Sequence, residues 1–143
     1  MSVESNSTME GTIFFSRTYD EALALVVEAR EYLLGPGKMA VRGMTAEVSF
    51  YYATESLRLT TRLTESMSWL MFQRAVSEGE ITPEEGQADE CHLQYQSTCL
   101  AETDERLSSQ LPDGLVSLLA RSESLYRRID RLDQQAMAAF KSA

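Results

Sequence analysis

From Thr45 to Gly79 the chain reads TAEVSFYYATESLRLTTRLTESMSWLMFQRAVSEG, with no glycine or proline between its ends. Those two residues are the ones that most readily interrupt a helix. Their absence permits one helix of about 50 Å, at about 1.5 Å per residue. Val48, Tyr52, Ser56, Leu59, Leu63, Met67, Leu70 and Arg74 recur at steps of three and four, which puts them on one stripe. Phe50, Ala53, Leu57, Thr64, Met71 and Ala75 form a second stripe on the opposite side. A helix with one apolar stripe lies on a core, and a helix with two has to be covered on both. The stretch therefore predicts the central helix of a bundle.

The middle of this helix is rich in small hydroxyl residues: Thr54, Ser56, Thr60, Thr61, Thr64, Ser66 and Ser68. Such side chains admit a second backbone closely and bond back to their own helix. Glu55, Arg58, Arg62 and Glu65 share a further face. It reads either as a solvated ion-pair stripe of small energetic worth or as a polar network at a subunit or partner interface. Tyr51, Arg58 and Trp69 lie on the edge of the helix, and their types are enriched at interface hot spots. With Glu55 and Arg62 they make up the candidate protein-binding set. Trp69 suits a bundle core equally well.

The flanking sequence supplies two more long helices. Thr18 and Glu21 read as a capping box, followed by Ala22, Val26, Ala29 and Leu33, and Gly35-Pro36-Gly37 ends that helix. Near the C-terminus, Leu115, Leu118, Ser122, Leu125, Ile129, Leu132 and Ala136 alternate steps of three and four. This seam predicts antiparallel packing against the central helix. Between them, Thr82-Pro83 and Glu85 form a second capping box. The stretch after it is polar and weakly periodic, so the least regular element is expected there. The prediction is all-α: a small antiparallel bundle of three long helices, about 19–34, 45–79 and 113–138, with a less regular helical segment over 83–108. At 143 residues it reads as one domain. A flexible N-terminus is expected over 1–12 and a short frayed C-terminus over 139–143.

Catalytic patterns are missing. The single histidine, His92, has Cys91, Asp89, Glu90 and Cys99 near it in sequence but no second histidine and no C-x-x-C. We expect His92 on the surface of a polar helix, and Cys91 and Cys99 as reduced, buried thiols. There is no glycine-rich phosphate loop and no G-x-S-x-G. No enzyme activity, cofactor or metal is expected. Lys and Arg total 13 against 22 Asp and Glu, a net charge of −9, which disfavours nucleic acid and favours basic partner surfaces. The sequence has no basic leader and no run of about 18 apolar residues, so no membrane insertion and a cytoplasmic location are expected.

The phrases YDEALALVVEAREYL (Tyr19 to Leu33), YATESLRLTTRL (Tyr52 to Leu63), SWLMFQRAVSEGEIT (Ser68 to Thr82) and SLYRRIDRLD (Ser124 to Asp133) resemble the RcdA family, regulators of CtrA degradation. The resemblance covers the first two long helices and the last. It implies a dimerising helical bundle that is not an enzyme. It also implies an adaptor that delivers cell-cycle regulatory proteins to the ClpXP protease and works with other ClpXP-associated adaptors and client transcription regulators. It assigns no site residue. The alternative from the residues alone is a helical protein–protein interaction module that regulates a transcription factor without a protease. For the adaptor reading a homodimer joined through the central helix is expected, because that helix carries two apolar stripes.

Overall fold

The computed structural model describes the backbone of residues 2–142 and the side chains of residues 14–142. Among these residues every regular element is helical, without a strand: α1 (Ser2–Leu34), α2 (Pro36–Val41), α3 (Ala46–Ser77), α4 (Gln96–Cys99), α5 (Glu105–Ser108) and α6 (Asp113–Ser142), with 3-10 turns at Glu85–Gln87 and Asp89–Cys91. The three long helices expected from the sequence are α1, α3 and α6.

The ends of α3 form as their residues dictate. Thr45 is extended, and its hydroxyl accepts from the Val48 amide at 3.2 Å. At the other end Gly79 takes φ +76°, the left-handed conformation that glycine adopts without steric cost. The Glu80 amide then donates to Ala75 O at 2.9 Å and the Gly79 amide to Val76 O at 3.1 Å, a Schellman closure.

Helix α1 begins earlier than the sequence predicts. Thr18 does not cap; its hydroxyl donates to Phe14 O at 2.9 Å, one turn back inside the helix. The predicted flexible segment 1–12 falls where side chains lie outside the described residues. At the other end α6 keeps its helical backbone to Ser142, past residue 138, through a run of strong helix formers (Ala136, Met137, Ala138, Ala139). Ala143 lies outside the described residues.

Cross-helix contacts fix the directions. Arg121 pairs with Glu28 and Arg128 with Glu21, so α6 runs antiparallel to α1. Arg62 reaches Leu119 O and Trp69 reaches Asp133, so α6 runs parallel to α3. This corrects the antiparallel pairing expected from the α6 seam. Short connections force neighbouring helices antiparallel, whereas a long crossover lets them run the same way. Residues 78–112 are that crossover. They return along the whole edge of α3, with Gln94 opposite Glu65, Cys99 opposite Arg62, Ser108 opposite Tyr51 and Arg106 opposite Glu47.

The core lies where α1, α3, α6 and the crossover meet. It takes Ala22, Leu25 and Ala29 from α1, Leu59, Leu63 and Leu70 from α3, Leu115, Leu118, Leu125 and Ile129 from α6, and Leu93, Cys99 and Leu111 from the crossover. The second capping box does form, with Glu85 N donating to Thr82 Oγ1 and Thr82 N to Glu85 Oε1, yet it opens only a 3-10 turn. Gly86 is buried there against Val76. The apolar residues that follow are too sparse to sustain a helical stripe.

Candidate interaction surfaces

Long-range polar anchors hold the crossover to α3 and α6, several of them through backbone groups of the crossover. Arg62, 2% exposed, donates through Nε to Cys99 O at 2.8 Å and through Nη1 to Leu119 O at 3.0 Å, tying the crossover and α6 to α3 at one point. Glu65 accepts from the Gln94 amide at 3.0 Å. The buried Tyr126 hydroxyl donates to Gln94 O at 2.9 Å from the α6 side. Tyr51 and Ser108 hydroxyls lie 3.1 Å apart. Burial of this guanidinium is tolerable because Nε and Nη1 find carbonyl acceptors.

Beside Arg62 sits Glu55, 1% exposed, with Arg58 Nη1 at 3.2 Å. Burial pushes the Glu55 carboxyl above its usual range, against the opposing pull of Arg58 and Arg62. Burial likewise pushes the Arg62 guanidinium down, and Glu123 opposes it.

The second polar centre is Asp133, 1% exposed. Its Oδ1 accepts from Trp69 Nε1 at 2.9 Å and faces His92 Nδ1 at 2.8 Å, and its Oδ2 accepts from the Leu93 amide at 3.1 Å. One carboxylate thus joins α3, the crossover and α6. His92 is not on the surface of a polar helix, as the sequence predicts. It is nearly buried in the crossover between Asp133 and Gln87 O, the latter 3.0 Å from Nε2. Cys91 and Cys99 are both buried and unpaired by a disulfide, and burial pushes both thiols up.

The five residues of the candidate protein-binding set all fall on the edge of α3 that the crossover covers. Glu55, Arg58 and Arg62 come together as one cluster, with Tyr51 a turn before them. Trp69 joins the Asp133 centre instead, 2% exposed and 6.0 Å from the Phe15 ring. The chain itself covers this edge and takes up much of its hydrogen bonding, though Glu55 Oε1 and Arg58 Nε are buried without a hydrogen-bond partner. The α6 seam that the sequence predicts runs through Leu132 and passes over Asp133. Burial in fact steps from Ile129 to Asp133 and leaves Leu132 only partly buried. A carboxylate in register with a buried stripe was the available signal.

The opposite side of α3 is open. Phe50 is 76% exposed, Leu57 69% and Met71 58%. Ala53, Thr54, Thr60 and Thr64 lie between them, and no charged residue falls on the strip. The hydroxyls of Thr54, Thr60 and Thr61 each donate to the carbonyl four residues earlier, at 3.1, 2.9 and 2.9 Å. The strip borders a shallow groove against α1 lined by Val26, Leu33, Leu63 and Met67, with exposed Leu23 and Val27 beyond it. By contrast, nine carboxylates and no lysine or arginine lie between Arg74 and Arg106, which equals the net charge of −9 for the whole chain. All nine are exposed.

Among the described residues, no group of three or more His, Cys, Asp or Glu side chains is placed to hold a metal ion. No described helix is long and apolar enough to cross a membrane.

The family described as "Protein of unknown function (DUF1465)" matches residues 7–143. Comparison with curated proteins yields no match. Among solved structures, the crystal structure of RcdA from Caulobacter crescentus is similar at 42% sequence identity, covering 85% of this chain and 89% of that one, with a TM-score of 0.69.

Proposed function

The chain belongs to the DUF1465 family, and from that membership we propose that it is a non-catalytic, cytoplasmic adaptor that delivers cell-cycle regulatory proteins to the ClpXP protease. The observation that carries this reading is the 42% identity to RcdA over 85% of the chain, a protein whose family acts in this way. The energetic logic is effective concentration. A client and a protease-associated partner held on one scaffold meet as if intramolecularly, and avidity rises without any new client–protease contact. Its partners are further ClpXP-associated adaptors and client transcription regulators. At long range the exposed carboxylates of the crossover attract basic surfaces.

The adaptor works as a homodimer, and the outer strip of α3 is its seam. An uncharged strip suits two copies of an acidic protein, because no like charges are brought together there. The hydroxyls of Thr54, Thr60 and Thr61 already have acceptors, so covering them leaves those donors paired. The small side chains let two helices approach closely, with Phe50, Leu57 and Met71 as the apolar contacts. Of the candidate set, Tyr51 and Arg58, both only partly buried, are the two offered to a partner. Glu55, Arg62 and Trp69 support them from beneath.

Degradation of a client by purified ClpXP, with and without this protein and then with additional adaptors, tests the reading. Acceleration that saturates with the protein's concentration is the expected result. No effect in either round, with the protein folded and the protease active, rejects delivery and leaves a plain interaction module. For the seam, light scattering at micromolar concentration should give twice the monomer mass. Leu57→Glu should give the monomer with unchanged helical circular dichroism, and a wild-type monomer sinks the claim.

A further inference from the structure

Near the C-terminal end of α3 a cleft of about 370 Å³ opens between this helix and α1, and no described residue of α6 lines it. Its apolar part is Leu70, 3% exposed, with the rings of Phe15 and Tyr19 one turn apart on α1. Phe15 rests in turn against Trp69, ring centroids 6.0 Å apart, and the Trp69 indole is tied to Asp133. The floor is therefore built into the bundle, which lowers the ordering cost of binding. The size suits one bulky aromatic side chain.

Arg74 sets the chemistry. Its guanidinium lies over the Tyr19 ring, 5.8 Å from the centroid, and its Nε donates to Glu78 at 3.0 Å. The side chain is 62% exposed, so the guanidinium face turned away from Tyr19 is open. A planar cation stacked on one ring accepts a second ring on its other face. A carboxylate brought to the same place would meet Asp20 and Glu78 on the rim, whereas an aromatic ring meets no like charge. Gln73, half-buried in the wall, offers a side-chain carbonyl to an indole N–H or a phenol O–H.

Arg74 is the one cation among the lining residues, against the carboxylates of Asp20 and Glu78, with exposed Glu80 beyond. The rim is net negative and favours basic residues on either side of the incoming ring. We infer that this cleft receives a tryptophan or tyrosine side chain from a partner segment in which Lys or Arg flanks the ring. Such rings are the common anchors of protein interfaces. None of the lining residues belongs to the outer strip of α3, so this docking does not depend on the dimer seam.

The test is a titration of the 15N-labelled full chain with the tripeptides Lys-Trp-Lys, Lys-Leu-Lys and Glu-Trp-Glu, each blocked at both ends. The chain has one tryptophan, so the labelled protein gives a single indole signal, that of Trp69. With Lys-Trp-Lys, saturable movement of that signal and of the Gln73, Arg74 and Ser77 amides is expected. Lys-Leu-Lys should bind about tenfold more weakly. Glu-Trp-Glu should also bind more weakly, by a margin that shrinks as salt rises. At high salt, where the rim charge is screened, Arg74→Gln should lower the Lys-Trp-Lys affinity about fivefold. Leu57→Glu, which probes the seam, should bind as the wild type does. Equal binding of the leucine and tryptophan peptides overturns the inference, as do shifts that leave the cleft untouched. Movement of the same signals on dilution without peptide would mean that a second copy fills the cleft, and overturns it too. The wild-type comparison of peptides decides the matter even if Arg74→Gln fails to fold.

Discussion

At the scale of single residues, the polar side chains inside this bundle matter more than their number suggests. Asp133 accepts from an indole and a backbone amide and faces an imidazole. Its replacement by Asn keeps the shape but removes the charge and gives one side of the carboxylate a donor. Breaking a buried charged partnership of this kind costs about 3 kcal/mol, so Asp133→Asn should lower the urea midpoint by that equivalent at unchanged slope. A loss under about 0.5 kcal/mol, the range of an ordinary surface change, would show that the hub is not structural. Glu55 behaves oppositely. Its carboxyl titrates above its unfolded value because burial outweighs Arg58 and Arg62. The folded protein therefore binds that proton more tightly than the unfolded chain. The penalty is fully present above the folded value and is relieved as pH falls through it toward the unfolded one. Glu55→Gln should accordingly raise the melting temperature at neutral pH, with the gain shrinking in acid. A uniform loss at every pH would mean that the Arg58 pair dominates.

Among the elements, α3 is the one with two differently finished sides. One edge is covered by the crossover, and the outer strip is left open, with the hydroxyls of Thr54, Thr60 and Thr61 bonded to carbonyls of the same helix. The sequence presents both as plausible contact surfaces, and only the path of residues 78–112 separates them. The helix end itself is a local matter: Thr45→Ala removes the acceptor for Val48 N and should cost about 1 kcal/mol. Where α1, α2 and α6 meet, the Tyr32 ring lies against Gly114 and Gly37, and a Cβ on either would collide with it. Gly114→Ala should lose about 1–3 kcal/mol through overpacking. Gly43→Ala, where nothing lies within 4 Å of the added carbon, should be neutral or slightly stabilising. Equal stability of the two variants in denaturant titrations would contradict the close packing at this end.

At the scale of the whole molecule, charge and apolar surface are segregated. The net negative charge resides in the crossover, while the exposed apolar residues Phe50, Leu57 and Met71 lie on the outer side of α3. A dimer formed on that side leaves both acidic crossovers facing solvent. Its affinity should therefore depend only weakly on salt, whereas capture of a basic partner should weaken steeply with it. Sedimentation and binding measurements across ionic strength distinguish the two. Local propensity, capping chemistry and a 3.6-residue period suffice for the three long helices, the cap at Thr45, the stop at Gly79 and the buried cysteines. The sequence also carried the family likeness. The direction of α6, the burial of the Tyr51–Trp69 edge and the roles of His92 and Asp133 were decided by tertiary structure. Each depends on a crossover with little periodicity of its own, whose course is set by distant partners: Arg62 and Glu65 on α3, Tyr126 and Asp133 on α6.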